Sequence, residues 1–218
     1  MNDYKVSLVY NILIFVIVVL GTIFMYTGFQ FMTHTTLLAS SGGSAFRFYT
    51  VDSNILVGIS SFVMAIYEIL VISKKIDKLP KFVYVFKYIG VVGVSLTFLV
   101  TLLYLSPLLG KNFILLYLNT NLLFHFIVPI LAFVSYVVYE KNELEFKYSF
   151  IATISMIIYA IYYTINILTH LDNGMVVKEY DWYGFVVGGL QSIIVVIPII
   201  ILFTYSISYV IYKLNKKK

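Results

Sequence analysis

The chain has no cysteine in its 218 residues. That excludes disulfides, thiolate catalysis and cysteine-based metal sites. Histidine is nearly as scarce, with three copies, so a histidine-rich metal site is not expected, and no cofactor is implied. Charge is thin: Asp, Glu, Lys and Arg make up 11% of residues, against roughly 25% in a soluble domain. No polar stretch is long enough to build a separate soluble domain. There is no Gly-x-Ser-x-Gly elbow, no His-Glu-x-x-His pair and no phosphate-binding glycine loop, so the familiar signatures of serine hydrolases, zinc hydrolases and nucleotide-binding folds are missing.

What remains is apolar. Hydrophobic residues reach 61% and the mean hydropathy is +0.96. A helix needs roughly 20 mostly apolar residues to cross the hydrocarbon core. Six segments qualify, at about 7–29, 46–73, 82–107, 113–139, 148–170 and 183–213. They are continuous runs rather than short alternating strands, so helices and not a β-barrel are expected to span. The expected fold class is all-α, an integral membrane bundle of six transmembrane helices in one domain over residues 1–218.

A net charge of +5 would suit nucleic acid, but the lysines cluster at the ends of apolar segments and read as topology signals. No nucleic-acid partner is expected; the expected partners are membrane lipids. An inside N-terminus puts Lys5, Lys74, Lys75, Lys78, Lys81, Lys87, Lys141, Lys147, Lys213, Lys216, Lys217 and Lys218 on the cytoplasmic side. Only Arg47, Lys111 and Lys178 then fall outside. By the positive-inside rule both termini are cytoplasmic. The first segment has no small-x-small cleavage site after it and reads as a retained helix rather than a signal peptide. The loops at 73–81 and 140–147 are short, charged and internal, whereas 31–45 and 171–181 are outer connections.

Ionisable groups inside a bilayer are costly and usually face the bundle interior, where they mark a site. His125 lies in such a run, Asn-Leu-Leu-Phe-His-Phe-Ile-Val-Pro-Ile at 121–130. Residues four apart share a helix face, and polar pairs at that spacing occur on three segments: Thr50 with Asn54, Asn121 with His125, and Asn166 with His170. At ~1.5 Å rise per residue, all three fall in the outer half of the bilayer, which suggests one shared cavity. Pro129 lacks an N–H and deprives the His125 carbonyl of its helical partner, so a kink is expected there. Each residue also has a plainer explanation: interhelical hydrogen bonding for His125 and the asparagines, back-bonding for Thr50, and a dipole-favoured helix start for Asp52. His34 and His170 are expected near the surface. Glu68 is expected to snorkel to the inner interface or pair with a loop lysine. Tyr159, Tyr162 and Tyr163 are expected to pack rather than to bind a ligand.

The segment Gly-Gly-Ser-Ala-Phe-Arg-Phe-Tyr-Thr at 42–50 resembles the start of helix two in the androgen-induced protein family. So does Asn-Leu-Leu-Phe-His at 121–125, and so does the six-span plan of the whole chain. The stretches Phe-Tyr-Thr-Val-Asp-Ser-Asn-Ile-Leu-Val at 48–57 and His-Phe-Ile-Val-Pro at 125–129 are more similar still to its uncharacterised bacterial branch. With an Ile-, Lys-, Asn- and Tyr-rich composition, that suggests a bacterial plasma membrane.

The resemblance implies a membrane hydrolase of fatty-acid esters of hydroxy fatty acids, whose essential threonine and histidine fall on Thr50 and His125. Two departures stand out: an acid follows the threonine at +2, as Asp52, rather than at +3, and the last outer loop, Tyr-Asp-Trp-Tyr-Gly at 180–184, lacks the family's proline. On this reading a neutral His125 accepts the proton of the Thr50 hydroxyl and returns it to the leaving alkoxide. Asn54, Asn121 or N–H groups at the start of helix two are the candidate oxyanion donors. Asp52, Asn166 and Asp181 are the candidates to orient the imidazole. Asp52, Asn54, Asn121, Asn166 and His170 form the expected substrate-binding set. The alternatives are a non-enzymatic receptor or transporter using the same cavity, and an acyltransferase using the same pair.

Overall fold

The computed structural model describes residues 2–34, 40–186 and 188–216. Among the described residues, six helices are long and apolar enough to cross a membrane: α1 (Asp3–Thr27), α2 (Tyr49–Ile72), α3 (Lys81–Tyr117), α4 (Thr120–Tyr139), α5 (Lys147–Thr169) and α6 (Ser192–Asn215). The protein is a multi-pass membrane protein with an all-α bundle, as its hydropathy requires. Large side chains such as Val9, Ile158, Ile161, Ile194 and Leu202 lie exposed along the outside. Water does not tolerate so extensive an apolar surface, whereas lipid tails match it.

Helix α3 is the central element: half of its most apolar window is buried, against 17% for α6. It contacts α2, α4 and α6, and α2 in turn lies along α1. Small residues allow the close approaches. A Cβ added at Gly90 of α3 would stand 2.8 Å from the Val57 Cα, and one added at Gly58 of α2 would stand 2.7 Å from Val18 Cγ1 on α1.

Two segment ends differ from the sequence expectation. Regular helix in α3 stops at Val100. A π-helical turn follows over Thr101–Leu105, and Gly110, at φ 53°, redirects the chain into a 3-10 stretch over Gly110–Tyr117. The residues near 113 therefore finish α3 instead of opening α4. The last helix begins at Ser192, not near 183. The Asp181 carboxylate takes the Phe185 and Val186 N–H groups at 2.9 and 3.0 Å, and Gly184 and Gly189 adopt positive φ, so the chain turns where a helix was expected. Before it, two short antiparallel strands, β1 (Leu171–Asp172) and β2 (Met175–Val176), turn through Asn173 and Gly174.

The end of α6 is tied to the α4–α5 loop. Lys141 Nζ donates to the Leu214 carbonyl at 2.5 Å, and Asn142 N donates to Asn215 Oδ1 at 3.3 Å. In the same loop Glu145 pairs with Lys81 at 2.5 Å and with Lys147 at 2.8 Å, and these hydrogen bonds hold its carboxyl down to about 2. Glu68, expected at the interface, and Lys87, expected on the cytoplasmic side, are sealed inside instead: both are 0% exposed. Each has found partners on neighbouring helices, so neither has to snorkel.

Candidate functional site

At the opposite end of the bundle, a cavity of about 340 Å³ opens between the starts of α2 and α4 and the loops that precede α2 and α6. Thr50, Asn121, Phe124, His125, Trp182 and Tyr183 are among the residues that line it.

Thr50 owes its position to the way α2 begins. Gly42, at φ 67°, opens a 3-10 turn over Gly42–Arg47, and Phe48 is extended, so the helix starts at Tyr49 without a side-chain cap of its own. The orphan N–H groups of a first turn need acceptors. Tyr183 supplies one: Tyr49 N–H donates to its hydroxyl at 2.9 Å. Burial pushes the Tyr183 phenol up to about 12, so the oxygen stays a neutral acceptor. The Thr50 hydroxyl makes no hydrogen bond to a described residue.

His125 sits on a π-helical turn, Leu123–Ile127, immediately before Pro129. The expected kink thus takes the form of one widened turn, closed by Val128 N–H donating to the Leu123 carbonyl. Such turns recur at functional positions, although the described residues hold two others, at 101–105 and 135–139. The imidazole is buried, and its Nδ1 lies 2.8 Å from the Leu116 carbonyl. A carbonyl only accepts, so Nδ1 carries the hydrogen, and in the neutral ring the lone pair is at Nε2. None of Asp52, Asn166 or Asp181 orients this imidazole; the 3-10 end of α3 does. Sequence reasoning had no means to find Leu116, because its main chain does the work.

The expected binding residues separate. Asn121 lines the cavity with Thr50 and His125. Asn54 is fully buried and donates to the Thr50 carbonyl at 2.7 Å and the Phe124 carbonyl at 3.1 Å, clamping α2 to α4. Asp52, half-buried, is on the side of α2 facing Tyr159 and Tyr183. Asn166 and His170 do share a face, but it serves the α5–α6 loop: Asn166 Nδ2 donates to the Tyr180 carbonyl at 3.2 Å, and His170 stacks on Tyr180 with ring centroids 3.8 Å apart. His34 and His170 are exposed, as their positions suggested.

The aromatic residues hold the α5–α6 loop against the cavity. Tyr163 donates its hydroxyl to Asp181, Trp182 Nε1 donates to the Tyr159 hydroxyl at 2.9 Å, and Tyr159 donates to the Arg47 carbonyl at 2.6 Å. Tyr159 and Tyr163 are buried and act in packing; Tyr162 lies exposed. Asn119 was not singled out from sequence. Its side chain takes Met32 N–H and donates to the Thr33 carbonyl, both at 2.8 Å, pinning the α1–α2 loop to the start of α4. Its signal was the polar run Asn-Thr-Asn at 119–121 inside apolar surroundings.

Arg47 is the only arginine of the chain. Its guanidinium carbon lies 5.1 Å from the Phe48 ring centroid and 5.6 Å from that of Trp182, two residues that line the cavity. Its Nε is buried without a hydrogen-bond partner. A second, almost wholly apolar cavity of about 420 Å³ runs between α3, α4 and α6, and Pro129, Ile130 and Phe133 line its α4 side, starting one turn after His125. No family model, curated protein or solved structure matches this chain.

Proposed function

We propose that this protein hydrolyses lipid esters within the outer half of a bacterial plasma membrane, with Thr50 as nucleophile and His125 as general base. One observation carries the reading: Thr50 and His125 line the same cavity, and neither the Thr50 hydroxyl nor His125 Nε2 makes a hydrogen bond to a described residue. The imidazole is held by its other nitrogen, which is what a base at Nε2 requires. The likeness of residues 42–50 and 121–125 to the androgen-induced protein family supports the substrate class, fatty-acid esters of hydroxy fatty acids. The apolar groove beyond Pro129 offers space for an acyl chain.

In this mechanism Nε2 of His125 removes the Thr50 proton as the hydroxyl oxygen attacks the ester carbonyl. The tetrahedral intermediate collapses to acyl-threonine, and the imidazolium returns the proton to the departing alkoxide. Water, activated by the same nitrogen, then hydrolyses the acyl-threonine and restores the hydroxyl. Asn121, which lines the cavity, is the side chain nearest at hand to meet the oxyanion. Asn54 and the Tyr49 N–H are already committed elsewhere.

That commitment favours a second reading, a lipid receptor or transporter that uses the cavity for binding alone. A fluorophosphonate probe separates the two. Labelling of the purified protein that disappears in both Thr50→Ala and His125→Asn supports the hydrolase. Equal rates of lipid-ester hydrolysis by wild type and Thr50→Ala would sink it, and lipid binding without labelling would establish the second reading.

A further inference from the structure

The sealed residues Glu68 and Lys87 belong to a cluster at the end of the bundle opposite the cavity, roughly 27 Å from Thr50 along α2 at 1.5 Å per residue. Glu68 of α2 and Lys87 of α3 are 0% exposed, and Glu140, just beyond α4, is 3% exposed. Asn11 and Ser7 of α1, Ser61 of α2 and Ser135 of α4 complete it, all fully buried.

The charges do not balance. Two carboxyl groups face one ammonium. Lys87 Nζ is 3.9 Å from Glu140 Oε1 and donates to Asn11 Oδ1 at 2.6 Å and Ser61 Oγ at 2.5 Å. Among the described residues, the other titratable groups that face the cluster are phenols: Tyr84 of α3, whose electrostatic neighbours are Tyr4 of α1, Glu68 and Glu140, and Tyr136 of α4. None supplies a positive charge. With both acids ionised, one negative charge would be buried without compensation, which a low-dielectric interior strongly disfavours.

The hydrogen bonds show where the imbalance falls. Glu140 Oε1 accepts from Ser135 at 2.5 Å, Asn11 Nδ2 at 3.0 Å and Ser7 at 3.3 Å, the surroundings of an anion. Glu68 Oε2 accepts one bond, from the same Asn11 nitrogen at 3.3 Å, and Glu68 Oε1 is buried with no partner. Glu140 Oε2 is also buried and unpartnered. Asn11 turns its amide nitrogen to both carboxyls and its oxygen to Lys87. That arrangement suits a proton better than a metal cation, which needs converging oxygens.

We propose that Glu68 and Glu140 form a proton-binding site that holds one exchangeable proton between them opposite Lys87. The proton resides on Glu68, the carboxyl with fewer donors. Because the cluster joins α1, α2, α3 and α4, its uptake and release alter contacts among all four helices. Intramembrane ionisable groups are used in this way in proton relays. The site is independent of any chemistry at Thr50.

Infrared difference spectroscopy on the full chain in lipid nanodiscs tests it. Wild type should show a protonated-carboxyl band that shifts in heavy water. Both Glu68→Gln and Glu140→Gln should lose that band, since each leaves a single acid opposite Lys87. Lys87→Met should gain a second protonated carboxyl; if it fails to fold, the two near-isosteric Gln variants decide alone. Spectra in which neither Gln variant differs from wild type would overturn the proposal. So would loss of the wild-type band when sodium or lithium chloride replaces choline chloride at fixed pH, which would make this a cation site.

Discussion

The imidazole of His125 donates through Nδ1 to the main-chain carbonyl of Leu116, 2.8 Å away. The bond joins the π-helical turn of α4 to the 3-10 end of α3. Turning the ring over would orphan a buried carbonyl, at a cost of about 1–3 kcal/mol. The orientation of Nε2 is therefore a property of the fold.

A pair of substitutions separates anchor from base. His125→Asn places an amide NH2 near the position of Nδ1, where it can still serve Leu116, and leaves nothing at Nε2. His125→Ala removes both. The Asn variant should keep a thermal midpoint close to wild type while lipid-ester hydrolysis falls by about 10²–10⁴-fold, the usual contribution of a general base. The Ala variant should lose the same activity and also roughly 1–3 kcal/mol of stability. Unfolding in detergent together with turnover checks both, and an Asn variant as unstable as the Ala variant would remove the anchoring argument.

Tyr183 should matter to α2 more than to the cavity wall. Its hydroxyl accepts the Tyr49 N–H at 2.9 Å, and Phe cannot. Tyr183→Phe should therefore cost about 1–3 kcal/mol, the penalty of an unpaired buried donor. Hydrogen exchange at the first turn of α2 should speed up selectively. Since burial pushes the phenol up to about 12, the effect should be constant through neutral and mildly alkaline pH.

Gly90 tests the α2–α3 approach. The Cβ of alanine there would stand 2.8 Å from the Val57 Cα, a backbone atom that cannot swing away. Gly90→Ala should destabilise the bundle by about 1–3 kcal/mol, the range for overpacking. Gly43→Ala, where an added Cβ meets nothing within 4 Å, should leave the thermal midpoint unchanged and serves as the control.

The six spans were legible because membrane insertion requires long apolar runs, and such runs survive in a single sequence. His125 and Thr50 were legible for the converse reason, as polar groups within those runs, and they do border one cavity. Asn166 and His170 show the limit of periodicity. Spacing by four establishes a shared face but not what it meets, and here it meets the Tyr180 loop. Glu68 and Lys87 lie near segment ends, where a snorkelling side chain and a buried partner leave the same sequence trace. Only the neighbouring helices distinguish them. Asn11 with Ser7 four residues before it was the available hint, a polar pair on one face of an otherwise apolar helix.

The loop around Glu145 gives a prediction with a definite sign. Hydrogen bonds from Lys147 and Lys81 hold this carboxyl at about 2, below its ordinary 4.5. A carboxyl depressed in the folded state stabilises the fold above its unfolded value, and that contribution is lost as pH falls through the folded value. Glu145→Gln should therefore lower the thermal midpoint at neutral pH. The gap to wild type should narrow between pH 4.5 and about 2 and close below that. All three side chains are at least half exposed, so the gap should also shrink with salt, as the screening length falls from about 10 Å at 0.1 M to about 3 Å at 1 M. Midpoints of the two proteins across pH, at low and high salt, check both dependences; a gap that widens on acidification would show that Glu145 acts through something other than its two lysines.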